Sequence, residues 1–128
     1  VQDTRVELAE RLGIQISVLT AERAIGSMPV EGNRQVTGVM HGGAYCVLAE
    51  TLGSLAANVH AGPDRVALGV DINATHSLSV QAGSVTGVCT AIHLGGSLTV
   101  HEVVVFDQKG NPLSTARITN VLRRRKAD

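Results

Sequence analysis

Aromatic residues are almost missing from this chain. Its 128 residues include no Trp, one Tyr (Tyr45) and one Phe (Phe106). Packing must then come from Val, Leu, Ile and Ala, compact side chains that suit closely layered elements. An excess of charge is missing too. Eleven basic residues balance eleven acidic ones, so the formal net charge is zero with His neutral. That excludes the broad basic surface of a nucleic-acid binder. The one charge run, Arg123-Arg124-Arg125-Lys126, is expected to be a solvated tail. The two cysteines, Cys46 and Cys89, lie far apart and form no CxxC pair. Neither a disulfide framework nor a zinc site is expected from them. No signal-peptide pattern is present, and no apolar run reaches about 18 residues. A soluble, cytoplasmic protein with no membrane partner is the expectation.

Hydrophobic residues make up 44% and charged residues 17%, values of a folded chain rather than a disordered one. The length suits one domain over residues 1–128. Val6 to Leu12 reads as a short helix ended by Gly13. Ile14 to Thr20 and Arg23 to Val30 read as strands, and Glu31 to Gly38 as a loop. Gly43 to His60 is the clearest helix. It is apolar nearly all round, the mark of a buried helix, and Gly62-Pro63 stops it. Val66 to Thr75, Ser84 to His93, Leu98 to Phe106 and Leu113 to Leu122 are rich in Val, Ile and Thr and read as strands. Residues 107–112 make a hairpin loop, and Leu94-Gly95-Gly96 a second turn. Short connections favour antiparallel pairing. The pattern predicts an α+β domain whose antiparallel sheet wraps around a central buried helix.

Glu50 is the unusual residue, a carboxylate in the middle of a helix otherwise small and apolar. A buried carboxylate is costly unless it is paired or used. Alone, it would read as a helix-edge residue or an ion-pair partner. Ser54, four residues on, shares its face, with Cys46, Gly53 and Ala57 around it as small residues that leave room for a ligand. His41-Gly42-Gly43 precedes the helix. The first amides of a helix have no internal partner and favour negative charge, so they can hold a developing oxyanion. A Gly-Gly before a helix is often only a turn; with a carboxylate nine residues after His41 the pattern becomes specific. No GxSxG elbow, Walker-type loop or GxGxxG fingerprint occurs. The five histidines lack HExxH spacing, so no metal is expected. Cys46 reads as a small hydrophobe rather than a nucleophile.

The stretch from Gln35 to Ser54, with His41-Gly42-Gly43 and Glu50 inside it, resembles the signature of hotdog-fold acyl-CoA thioesterases. The resemblance is closest to the branch acting on 4-hydroxybenzoyl-CoA and phenylacetyl-type substrates. Gly69 to His76 and His93-Leu94-Gly95 match as well, and the resemblance covers roughly residues 23–122. It implies a hotdog fold and hydrolysis of an acyl-CoA, with an aromatic acyl group, and needs no cofactor. By the same resemblance Glu50 is nucleophile or general base. The Gly43 amide polarises the thioester carbonyl, with Gly42 as the other candidate. Gln35 and His41 orient the thioester or leaving thiolate, and Ser54 positions water. Asn73, His76, His93 and Gly95 line the substrate path. Sites shared between two subunits are implied, in a homodimer or a dimer-of-dimers tetramer. One departure stands out: relatives often carry Arg just after the His-Leu-Gly turn, where this chain has Gly96 and Ser97. A non-catalytic acyl-CoA binder is the alternative reading, because fold alone does not fix function. A hotdog hydratase or dehydratase fits less well, since it would pair its His with an acid in another arrangement.

Overall fold

The computed structural model describes residues 5–126. Helix α1 (Glu7–Leu12) ends on Gly13, whose φ of 80° is left-handed. The Pro29 ring lies 2.8 Å from where a Cβ on Gly13 would sit, so glycine is required there for both backbone and space. Strands β1 (Gln15–Leu19) and β2 (Arg23–Pro29) follow, then helix α2 (Gly42–Ala61). Four longer strands complete the fold: β3 (Arg65–His76), β4 (Ser84–Leu94), β5 (Leu98–Phe106) and β6 (Pro112–Arg124). Every expected element is present within a residue or two at each end.

All six strands form one sheet in the order β1-β2-β4-β5-β6-β3, with antiparallel neighbours throughout. The two short connections, at Leu94-Gly95-Gly96 and residues 107–112, do join antiparallel neighbours, β4 with β5 and β5 with β6. The connection after β3 is of another kind. Residues 77–83 carry the chain across the sheet, so β3 pairs with β6 and forms an edge. The sheet covers α2 on one side, which is the hotdog arrangement.

Alternation sets the contact. Val85, Gly87 and Cys89 of β4, Val103 and Val105 of β5, and Ala116 and Ile118 of β6 are buried, while most of their neighbours are not. They meet Leu48, Leu52, Ala56 and Ala49 of α2 in one cluster. Gly53 allows the close approach: a Cβ there would lie 2.9 Å from Cβ of Ile118. Leu48, Leu52 and Ile118 are fully buried, and shortening any of them to Ala would cost about 2–5 kcal/mol.

Two expectations are corrected. Helix α2 is apolar nearly all round but covered on one face only. Val47, Glu50, Thr51, Ser54, Leu55 and Asn58 lie on its other side, lining a groove of about 350 Å³ with Val6 and Leu8. Arg123 and Arg124 are strand residues paired with Val66 and Arg65, not the start of a tail.

Candidate active site

Glu50 reaches its position because α2 carries it toward the sheet edge. It is exposed, so the expected burial of its carboxylate does not hold within one chain. Its Oε2 lies 2.9 Å from where a Cβ on Gly69 would be. Gly69 sits on edge strand β3, beside a register shift between Gly69 and Asp71, and its missing side chain is what admits the carboxylate. Ser54 shares the groove with Glu50, as its spacing requires. Its hydroxyl donates to Asn120 Oδ1 at 3.4 Å. Gly53 and Ala57 turn toward the sheet instead, packed on Ile118 and in a small cluster with Ala61, Ala67 and Leu122. They bring the helix close to the strands and leave no ligand space. Cys46 is half-buried, and its thiol pKa is raised first by burial and then by the Glu50 charge. Such a thiol stays protonated near neutral pH and makes a poor nucleophile.

A second cluster forms at the start of α2. His41 caps the helix: its Nδ1 accepts from the Gly43 N–H at 2.8 Å, so the proton of a neutral ring sits on Nε2. The Gly43 amide is therefore engaged in this conformation. His76, at the end of β3, lies over Gly42, where a Cβ would come within 2.8 Å of its ring. Its Nδ1 is 2.8 Å from Ser114 Oγ, and its ring stands 5.3 Å from that of Tyr45. Both glycines thus leave room for a histidine.

The other expected residues are spread out. Gln35 is exposed in the loop closed by the Arg34–Met40 bridge, where its Nε2 donates to Thr37 Oγ1. Asn73 pairs with Arg117 and His93 with Val100. Asn73 alternates with the core-packed Ile72 and Ala74, and the bulge between Ala91 and His93 sets His93 opposite Val100, so both lie on the sheet face turned away from α2. Gly95 sits at the far end, where its carbonyl accepts from His60 Nε2 at 2.7 Å. Within one chain these four residues are not gathered around Glu50.

Sequence reasoning missed Asn120 and Gly69. Asn120 is fully buried in β6, and its Nδ2 has no hydrogen-bond partner among the described residues. The signal available was a lone amide among the Val, Ile and Thr of the last strand. Gly69, opposite Asn120 in the ladder, was noted only as part of the family match. Among the described residues no group of three or more His, Cys, Asp or Glu could hold a metal ion.

A carboxylate on an open groove and helix-start amides flanked by histidines, on a hotdog scaffold, define the class of thioester hydrolases. The Thioesterase superfamily model matches residues 37–114, and the chain belongs to that superfamily. It is 44% identical over 113 residues to a candidate esterase of Deinococcus radiodurans, covering 88% of this chain and 71% of that one. It is 36% identical over 116 residues to the proofreading thioesterase EntH of Cronobacter turicensis, covering 90% and 85%. The fold matches a Haemophilus influenzae thioesterase crystal structure with a TM-score of 0.87 at 33% identity, over 91% of this chain and 82% of that one. A Staphylococcus aureus thioesterase matches in a Gln-to-Ala variant at TM-score 0.87 and 30% identity, over 92% and 99%. The same protein with a Glu replaced by Ala, fifteen positions after that Gln, matches at TM-score 0.88 and 29% identity.

Proposed function

We propose that this chain hydrolyses acyl-coenzyme A thioesters, probed best with aromatic acyl groups, and that Glu50 is the nucleophile or general base. The observation that carries the reading is the seat of Glu50 over Gly69, on a groove shared with Ser54. A carboxylate so placed can attack a thioester carbon directly or activate water for the attack. Gln35 precedes Glu50 by fifteen residues. The two positions changed in the Staphylococcus aureus thioesterase have the same separation, which supports a paired role for Gln35 and Glu50.

The site is built from two copies. Gly43 and Glu50 are seven residues apart on one helix, about 10 Å along its axis. A thioester carbon and its oxygen lie within a bond length, so the amide and carboxylate of one chain cannot serve the same carbonyl. The unpaired edge of β3 supplies a way to bring in the other copy. Leu68 and Val70 on that strand are 50% and 57% exposed, and an open apolar edge invites pairing with another chain. Gly42 or Gly43 of one subunit would then hold the oxyanion, with His41 turned from its cap if Gly43 is used. Ser54 positions water, and Gln35, His41, Asn73, His76, His93 and Gly95 orient substrate across the interface. The whole chain acts as one cytoplasmic domain, in a dimer or a tetramer of two such dimers, with no metal or cofactor.

The test is release of free thiol from benzoyl-, phenylacetyl-, naphthoyl- and fatty acyl-CoA. Glu50→Gln keeps the shape but loses nucleophile and base, so kcat should fall by about 10² or more. Near-full turnover by that variant on the best substrate would dismiss the carboxylate assignment. A wild-type protein that binds these compounds without releasing thiol would instead be an acyl-CoA binder.

A further inference from the structure

We infer that Asn120 is a positioning residue for hydrolysis: it makes the Ser54 hydroxyl an acceptor, so that the attacking water keeps a lone pair free for the thioester carbon. The inference rests on the hydrolase reading above, with Glu50 as the base, and adds to it a buried row of side chains behind the groove.

A water that attacks a carbonyl has two protons to place. Glu50 takes one. Ser54 lies one helical turn on, beside Glu50 on the groove. It can accept the other proton only if its own points elsewhere. A hydroxyl that donated to the water would occupy the lone pair that must attack. Asn120 Oδ1 draws that proton away, since Ser54 Oγ donates to it at 3.4 Å. The bond is long, as bonds of unliganded sites often are before substrate tightens them. The step then balances. The water oxygen bonds to the thioester carbon as one proton passes to Glu50. The carbon–sulfur bond breaks, and the leaving thiolate takes the proton from Glu50.

An amide can be turned either way, and the buried neighbours of Asn120 select one. Thr99 stands directly opposite it in the β5-β6 ladder, and His101 lies two residues on, on the same helix-facing side as Val103 and Val105. Asn120, Thr99 and His101 are all fully buried. Asn120 Nδ2, Thr99 Oγ1 and His101 Nδ1 have no hydrogen-bond partner among the described residues. Each is costly alone, yet the three are complementary. His101 Nε2 lies 2.8 Å from the Ala21 carbonyl. A carbonyl only accepts, so Nε2 carries the proton, and Nδ1 of the neutral ring is left as an acceptor. Thr99 can donate to that nitrogen and accept from Asn120 Nδ2. Opposed side chains on a ladder start about 4.5–5.5 Å apart at Cβ, within reach of a small side-chain turn or one bridging water. The row therefore has a direction, set by the Ala21 carbonyl and ending at Ser54. A reversed amide would set Oδ1 against a Thr99 hydroxyl whose proton is already committed. It would also turn an N–H toward Ser54 and release the serine proton onto the water.

The experiment is a double-mutant cycle read by thiol release from the best acyl-CoA. Asn120→Leu keeps the branched shape and removes both polar ends. Ser54→Ala removes the hydroxyl. Each alone should lower kcat about tenfold with KM little changed. The double variant should also lose about tenfold rather than about a hundredfold, because Asn120 acts only through Ser54. Thr99→Val is a milder change in the same row and serves should Asn120→Leu disturb folding. It should lower kcat about threefold and have no effect in the Ser54→Ala background. Losses that multiply in both cycles overturn the inference, as does full turnover in both Asn120→Leu and Thr99→Val. A wild-type protein that releases no thiol from any acyl-CoA fails earlier, at the hydrolase reading, and the role of Asn120 falls with it.

Discussion

Gly69→Ala is the sharpest test of how Glu50 is held. A Cβ at this position would lie 2.9 Å from Glu50 Oε2, with Asn120 Oδ1 at 3.7 Å. An ordinary contact needs roughly 3.4 Å or more, so the carboxylate must retreat by about half an ångström. Misplacement by about 1 Å can cost a hundredfold in rate, so half that displacement should lower kcat by about tenfold. Stability should move the other way. Gly69 has no left-handed backbone angle, so Ala fits the strand. Replacing Gly inside a strand removes a destabilisation of about 0.5–1 kcal/mol. The displaced group is the end of an exposed side chain, which can swing aside at little cost. The assay pairs thermal unfolding with thiol release from the best acyl-CoA. Unchanged or raised stability with lowered kcat is the expected signature. Full activity in the Ala variant would refute the idea that Gly69 exists to seat the carboxylate. Lost activity together with a large fall in melting temperature would mean that the glycine serves packing.

Three further outcomes are expected. Gln35→Ala and Ser54→Ala should each lower kcat with a modest change in KM, as groups that act in the transition state do; unchanged kinetics in both would reduce them to packing and loop residues. Light scattering should find at least a dimer, and an active monomer would refute the two-copy site. His101 is fully buried, and its pKa is lowered from 6.5, first by burial, against the raising effect of its bond to the Ala21 carbonyl, with repulsion from His60 adding to the lowering. Because its folded-state pKa is depressed, its neutral form stabilises the fold above pH 6.5 and that stability drains as pH falls through the folded value. Denaturant titrations from neutral pH downward should show this slope, and His101→Leu should flatten it.

Most of the fold was legible because its signals are local. Gly13 and Gly62-Pro63 mark helix ends, and the Val-Ile-Thr runs alternate as strands must. The β3 crossover was not legible, because residues 77–83 look like any turn-rich connection and nothing in them says which strand comes next in the sheet. Glu50 and Ser54 were found from helical spacing, and they do line one groove. Gly53 and Ala57 were misread for a physical reason. A small residue beside a polar one can mean room for a ligand or close approach to a sheet, and only the sheet's position decides. Gly53 against Ile118 is the second case.

The exposure of Glu50 and the open edge of β3 are two views of one surface. An all-round apolar helix tells how much cover it needs but not which chain provides it. Here the sheet covers the face carrying Leu48, Leu52 and Ala56, while Val47 and Leu55 remain on the groove with Glu50. The carboxylate rests over Gly69, which belongs to that open edge. A second copy paired along β3 would therefore lie beside the carboxylate while satisfying the strand's free backbone groups. Water would be displaced from the groove at the same time, and the charge of Glu50 would be felt more strongly by a bound thioester. On the proposed reading, assembly and activation are a single event. Substitutions that block the edge, such as Val70→Pro beside Gly69, should then abolish turnover and dimerisation together, read by thiol release and light scattering; a variant that stays dimeric yet loses turnover would refute the link between assembly and activation.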